Sequence, residues 1–155
     1  FQTNLLSPEQ KRVFSMFPAL RNAEFLRYGV MHKNTFIDAP KTLNADFSMK
    51  EHPSVFFAGQ ITGVEGYVES AASGLLAAIN ADRRMSGLET LSPGNDTVIG
   101  ALANYVATPN ADFQPMNANY GILRPLNVSP KKKADKKRML SERAIEKIKE
   151  IKETL

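Results

Sequence analysis

Gly59, Gly63 and Gly66 stand four and three residues apart, between the apolar run Val55-Phe56-Phe57-Ala58 and a stretch of small side chains that begins after Val68. Glycine lets a backbone approach a planar ring with no Cβ in the way. The start of a helix adds unpaired N–H groups and a partial positive charge. Together these suit a planar ligand with an anionic edge. A reduced flavin, negative near N1 and the adjacent C2 carbonyl, is such a ligand. Gln60, at the end of the apolar run, could hydrogen-bond a ribityl or phosphate oxygen, and Glu65 could position a substrate or a proton. The plainer alternatives are a tight strand-to-helix turn for the glycines and a solvated turn residue for Glu65.

The chain has no cysteine, which excludes disulfides, thiolate metal sites and a cysteine nucleophile within it. With only His32 and His52, no metal-ligand spacing is recognisable, so no metal site and no catalytic residue is assigned. The net charge of +4 is unevenly spread. Residues 130–155 hold ten Lys/Arg against five Asp/Glu, a surplus of +5, whereas the remainder holds ten against eleven. Lys131, Lys132, Lys133, Lys136, Lys137 and Arg138 fall within eight residues. They are candidates for RNA phosphate contact, or else a solvated linker. Lys11, Arg12, Arg21 and Arg27 are scattered further candidates.

These groups need elements to hold them. At 155 residues and 43% hydrophobic content, the chain is long enough for one domain with a real core. It has no run long and apolar enough for a membrane span and no signal-like N-terminus, so a cytoplasmic location and no membrane partner are expected. The absence of a starting Met points to a fragment or a processed chain. Ser7-Pro8-Glu9-Gln10 predicts a helix start with Ser7 as cap and Gln10 closing a capping box, running to about Phe17 and burying Val13, Phe14 and Phe17. Residues 24–30 read as a strand and 34–47 as extended or looped. The run Ser54-Val55-Phe56-Phe57-Ala58 reads as a buried parallel strand, followed by the glycines and a helix over 68–85. Strand, glycine loop and close-packed helix form the nucleotide- and flavin-binding arrangement of α/β folds. Asp96 is expected to cap a second helix carrying Ile99, Leu102, Ala103 and Val106, which Pro109 ends. Residues 113–125 read as a structured loop and 129–138 as a basic linker. Ser141 is expected to cap a last amphipathic helix with Ile145, Ile148, Ile151 and Leu155 in one stripe. His52, beside Pro53, reads as a turn residue.

The segment from Val55 through Ala58-Gly59-Gln60-Ile61-Thr62-Gly63-Val64-Glu65-Gly66-Tyr67 to Leu75 closely resembles the second flavin segment of the bacterial methylenetetrahydrofolate–tRNA uracil-5-methyltransferases, the TrmFO family. Three more motifs are similar to that family: Phe1-Gln2-Thr3-Asn4-Leu5 with Glu9-Gln10-Lys11-Arg12-Val13-Phe14, Arg27-Tyr28-Gly29-Val30-Met31-His32-Lys33-Asn34-Thr35-Phe36, and Phe113-Gln114-Pro115-Met116-Asn117-Ala118-Asn119-Tyr120-Gly121. The related GidA-type wobble-uridine enzymes share the Ala-Gly-Gln and Gly-Tyr elements and resemble the other motifs less.

The resemblance implies an α/β chain in three parts. Residues 1–50 would be the returning segment of an inserted substrate region. Residues 51–128 would be the C-terminal portion of a Rossmann-like FAD-binding domain, and 129–155 a basic linker with an amphipathic helix. It implies transfer of a one-carbon unit from methylenetetrahydrofolate to uracil C5 of tRNA, or of rRNA, with FAD as carrier and NADPH or NADH as electron source. FAD contacts would come from Gly59, Gln60, Thr62, Gly63, Glu65, Gly66, Tyr67 and Val68. His32, in a Met-His-Lys-Asn loop, could stack on or hydrogen-bond a pterin, with Tyr28 and Asn34 as further folate candidates; an ordinary surface histidine is the alternative. Gln114, Asn117 and Asn119 could line the site, or close their own loop. The family's cysteine nucleophile and Gly-rich N-terminal fingerprint are missing. The expected partners are therefore the N-terminal part of the same enzyme and the RNA, with a homo-oligomer open. A non-catalytic RNA-binding fragment with a vestigial flavin loop is the rival from another class.

Overall fold

The computed structural model describes residues 3–29 and 34–155. It forms two compact units, Phe1–Asn34 and Thr35–Leu155. The expected boundary near residue 50 falls inside the second unit, because Ala39, Leu43 and Phe47 belong to its core.

In the first unit, α1 spans Ser7–Phe14, with Leu6 rather than Ser7 at the cap position and Pro8 in the first turn. No side chain caps this helix. Gln10 does not close a capping box. It is buried, donates to the carbonyls of Leu5 (2.8 Å) and Gly29 (2.7 Å), and accepts the Gly29 N–H (3.3 Å). Residues 24–29 form no strand, and Leu26 is 91% exposed. Alternation alone cannot make a strand where no neighbour offers a hydrogen-bonding edge, and Gln10 takes up the Gly29 backbone instead. Phe25 stacks against Phe14 and Tyr28, while Phe17 lies mostly exposed rather than buried.

The second unit is a helix-dominated α/β assembly. Its elements are α2 (Ala39–Thr42), β1 (Val64–Glu65), α3 (Tyr67–Met85), α4 (Val98–Ala107), β2 (Met116–Asn117) and α5 (Lys133–Lys152). The core gathers Ala39, Leu43, Phe47, Val64, Leu76, Ala77, Leu102, Val106 and Phe113. Phe47 has φ +66, a left-handed conformation that costs a bulky residue about 1–2 kcal/mol. Its side chain is fully buried, and burying a Phe returns about 1.5–3 kcal/mol, so packing wins. The run 54–58 makes only an isolated antiparallel bridge, Phe56 to Ser48, and Val55 is 43% exposed; it is not the expected buried parallel strand.

Helix α3 is built from good helix formers and turns Ser73, Leu76, Ala77 and Asn80 inward at i, i+3, i+4, i+7 spacing. Asn80 accepts the Leu91 N–H (2.6 Å) and donates to the Leu91 carbonyl (3.1 Å), which ties the following loop to the helix. Thr97, not Asp96, caps α4, its hydroxyl accepting the Gly100 N–H at 3.0 Å. Asp96 is held instead by the fork of Arg124 (2.8 and 2.7 Å) and by Arg143 of α5 (3.1 Å). Helix α5 begins eight residues before Ser141, so most of the supposed basic linker is helical, and Leu140 anchors it against Ala101 and Leu123.

Asp46 is a buried carboxylate. Burial opposes its charge, but Ser48 through side chain and backbone, Thr90 and Arg84 together hold its pKa below the ordinary 3.8. A lowered folded-state pKa means that its stabilisation is complete above the unfolded value and is lost as pH falls through the folded one. Asp46→Asn should therefore lower stability by about 1–3 kcal/mol at neutral pH. In urea melts against pH, the gap between variant and parent should close below about pH 4. A gap that persists undiminished in acid contradicts this role.

Candidate functional site

Gly59–Thr62 form one turn of 3-10 helix, which Gly63 ends at φ +86. The Gly59 N–H donates to Ser73 Oγ at 2.8 Å, and Ser73 Oγ donates to the Ser70 carbonyl at 2.8 Å, so the turn is fastened to α3. The Thr62 hydroxyl, fully buried, donates to the Gly59 carbonyl at 2.8 Å and braces the loop from within. Next come β1, then Gly66 at φ +97, and then α3.

The loop does not stand alone. β1 pairs in parallel with β2, Val64 opposite Met116 and Glu65 opposite Asn117, and the Met116 N–H donates to the Gly63 carbonyl at 2.9 Å. A Cβ on residue 63 would collide with the ring of Phe113, and one on residue 66 with the carboxylate of Glu69. Glu69 in turn accepts the Ala118 N–H at 3.3 Å. The glycine loop and the Phe113–Gly121 motif are thus brought together, as neighbours in one backbone pairing.

The residues of this assembly divide by what they touch. Thr62 and Gly63 are buried and serve the turn itself. Gln60, Tyr67 (92% exposed) and Val68 (79% exposed) face outward. Asn117 is exposed, and among the described residues its side chain, like that of Gln60, has no hydrogen-bond partner. Glu65 is half-buried. Asn119 caps the turn at 120–122 through the Gly121 N–H (2.9 Å) and donates to the Asn117 carbonyl. Gln114 donates to Asp112, and its carbonyl accepts the Tyr105 hydroxyl at 2.7 Å. Those two close their own loop, which leaves Asn117 as the free amide of the three. Such a surface can bind and orient a ligand, and it holds no cysteine.

The remaining candidates lie elsewhere. Tyr28 and Asn34 belong to the first unit, Tyr28 stacked on Phe25 and Asn34 exposed. His32 lies outside the described residues. Lys131 and Lys132 precede α5, while Lys133, Lys136, Lys137 and Arg138 occupy its first two turns, all exposed. Lys137 Nζ sits 5.6 Å from the centre of the Tyr120 ring, and the Tyr120 hydroxyl meets Ser141 Oγ at 3.1 Å. The basic turns are therefore fastened to the loop that follows β2. Among the described residues no group of acidic or histidine side chains is arranged to hold a metal ion, and no helix is long and apolar enough to cross a membrane. Glu69, Ser73 and Phe113, which fix the loop, were not singled out from the sequence. Only the close spacing of Ser70 and Ser73 on one helix face hinted at such a role.

Residues 1–89, which include the whole glycine loop, match the family model described as glucose inhibited division protein A. The chain belongs to that family. Among curated relatives, proteins named methylenetetrahydrofolate–tRNA-(uracil-5-)-methyltransferase TrmFO match most or nearly all of this chain. That of Desulfitobacterium hafniense is 56% identical over 153 residues, 98% of this chain and 35% of the relative. That of Thermotoga maritima is 52% identical over 97% of this chain and 35% of the relative, and that of Caldicellulosiruptor bescii is 58% identical over 79% and 28%. They bear out the resemblance carried by the four motifs. The chain spans about a third of the length of these relatives. Among solved structures, Aquifex aeolicus GidA in its form II crystal is 27% identical, covering 69% of this chain and 18% of that one, with a TM-score of 0.45.

Within this family member, Gly63 meets two separate obstacles to change. Gly63→Ala combines a left-handed backbone with a clash against Phe113 and should cost about 2–4 kcal/mol. Gly74→Ala, on the same helix face as open space, should leave stability unchanged or raise it by about 0.5–1 kcal/mol. Thermal melts of the two variants check the contrast; equal melting temperatures would contradict it.

Proposed function

We propose that this chain is part of a flavin- and folate-dependent enzyme that methylates uracil C5 in tRNA. In this reading it forms the C-terminal portion of a Rossmann-like FAD-binding domain and one wall of the flavin site. The observation that carries the reading is the pairing of β1 with β2, which joins two of the four family-like motifs and leaves the amides of Gln60 and Asn117 unpaired. The name of the relatives supports the reaction.

The residues fit a flavin. Gln60 and Asn117 offer free amides, Tyr67 an exposed ring, and Gly59, Gly63 and Gly66 a backbone without side chains. The Glu69 carboxylate stands beside Gly66 and offsets part of the positive end of α3, so the amides carry most of the hydrogen bonding to the ligand. When bound, FAD would carry the electrons and the one-carbon unit, with a reduced nicotinamide as electron source. Gln60 and Asn117 would hold polar edges in place, and Val68 would keep water from one side. Activation of the uracil needs a nucleophile from outside this chain, because the chain has no cysteine. Tyr28, His32 and Asn34 are the folate candidates in this reading. Lys131, Lys132, Lys133, Lys136, Lys137 and Arg138 would contact tRNA phosphates beside the same wall, since Lys137 packs on Tyr120. The enzyme would act in the cytoplasm.

Two assays test the reading. Joined to the remainder of the Desulfitobacterium hafniense relative, the chain should transfer label from methylenetetrahydrofolate to tRNA, and alone it should transfer none. Turnover by the isolated chain, or no transfer by a folded joined protein, would overturn it. Replacing the six basic residues by Gln in the joined protein should weaken tRNA binding and reduce the slope of log affinity against log salt by up to about 5. An unchanged slope sinks the phosphate-contact role.

A further inference from the structure

Glu69 lies in the first turn of α3, a helix of 19 residues that opens at Gly66. Its carboxylate stands so close to Gly66 that a Cβ there would collide with it. The same carboxylate accepts the Ala118 N–H at 3.3 Å, which holds it between α3 and the loop after β2. Glu69 is half-buried. Among the described residues it forms no ion pair, and neither does Glu65, the residue before Gly66. Its unit negative charge is set against the roughly half unit of positive charge that a helix start presents, so the two effects are of the same order.

We propose that Glu69 sets the reduction potential of the flavin, by weakening the hold of the site on the reduced, anionic form. This role rests on the flavin reading above and adds a residue to it. Oxidised flavin carries a neutral ring. Hydride from a reduced nicotinamide delivers two electrons and one proton, so the ring gains one negative charge, near N1 and the C2 carbonyl. In the flavin reading that edge faces the start of α3. A helix start alone favours the charged form, through its N–H groups and its partial positive charge. With Glu69 in the first turn that preference is cut back, and the oxidised form is held relatively more firmly. The bound flavin is then more strongly reducing than the helix start alone would make it, which suits a carrier that must pass two electrons to a one-carbon unit. Gln60 and Asn117 are neutral amides and act on both forms by hydrogen bonding. Glu69 acts by charge, so it changes the balance between the forms.

The experiment loads the chain, joined to the Desulfitobacterium hafniense remainder, with FAD and reads its two-electron midpoint potential by titration against a reference dye. Glu69→Gln removes the charge and keeps an oxygen to accept the Ala118 N–H. Removing a unit charge about one helical turn from the ring edge should tighten reduced FAD roughly tenfold, at effective dielectric values between those of a protein surface and water. Oxidised FAD should bind within about twofold of the parent, so the potential should rise by about 30 mV. Glu69→Asp keeps the charge and should stay closer to the parent than to Glu69→Gln. Should Glu69→Gln not fold, Glu69→Ala removes the charge with a better helix former, and the same rise is expected. A carboxylate with only a structural role would lower the melting temperature when replaced and leave the potential at the parent value; that outcome overturns the proposal. So does a Glu69→Asp potential shifted as far as that of Glu69→Gln. If the folded joined parent binds no FAD, the flavin reading falls and the role of Glu69 falls with it. If the parent binds FAD and the potential of the uncharged variants does not move, the role of Glu69 alone falls.

Discussion

The ring of Phe113 fills the space that any side chain at residue 63 would need, and the geometry of the glycine loop follows from that contact. The ring is set edge-on to Phe36 (5.9 Å between centres) and tilted against Tyr105 (5.5 Å). Those neighbours fix its place, and Gly63 accepts it because only glycine combines φ +86 with no Cβ. With Gly63 against Phe113, its carbonyl meets the Met116 N–H and β1 lies along β2. One aromatic contact thus joins segments some fifty residues apart and sets Gln60, Tyr67 and Asn117 on the outside of the joint.

A second joint fixes where the positive charge goes. Asp96 holds both Arg124 and Arg143, and Arg143 also donates to the carbonyls of Arg124 and Pro125. Leu140 is buried on the same side of α5. Exposed ion pairs contribute little singly, but here one carboxylate shares two guanidiniums over a buried leucine, and the register of α5 follows. The six basic residues upstream are then presented from an ordered helix start rather than from a free linker.

Much of this was legible in the residues and some was not. The long helix after the glycines and the apolar positions of α4 follow from periodicity and formed where expected, whereas α5 starts eight residues before Ser141 and ends before Leu155, the last residue of its expected stripe. The described residues of the expected strands, 24–29 and 54–58, did not form them, because an apolar run carries no information about whether a partner edge exists. Thr97 took the cap expected of Asp96 because Asp96 was claimed by Arg124 and Arg143, 28 and 47 residues away; no local signal encodes such a pairing. The glycine loop was recognisable as a loop with a purpose. That Thr62 would turn inward, and that Asn117 rather than Asn119 would be the unpaired amide, depended on hydrogen bonds that spacing does not reveal.

The two joints give the chain a surface that presents exposed amides and an aromatic ring beside a basic helix, in a chain without cysteine. The relatives it matches are about three times as long. The central claim is that Gln60 and Asn117 belong to a flavin site. Its most direct measurement is the flavin affinity of the protein joined to the Desulfitobacterium hafniense remainder, with and without Gln60→Ala and Asn117→Ala. Each removes an exposed, unpaired amide, so melting temperatures without flavin should not change. Loss of a ligand hydrogen bond worth about 1–1.5 kcal/mol should weaken FAD binding by about five- to tenfold for each variant. FAD affinity equal to the parent in both variants would contradict the account.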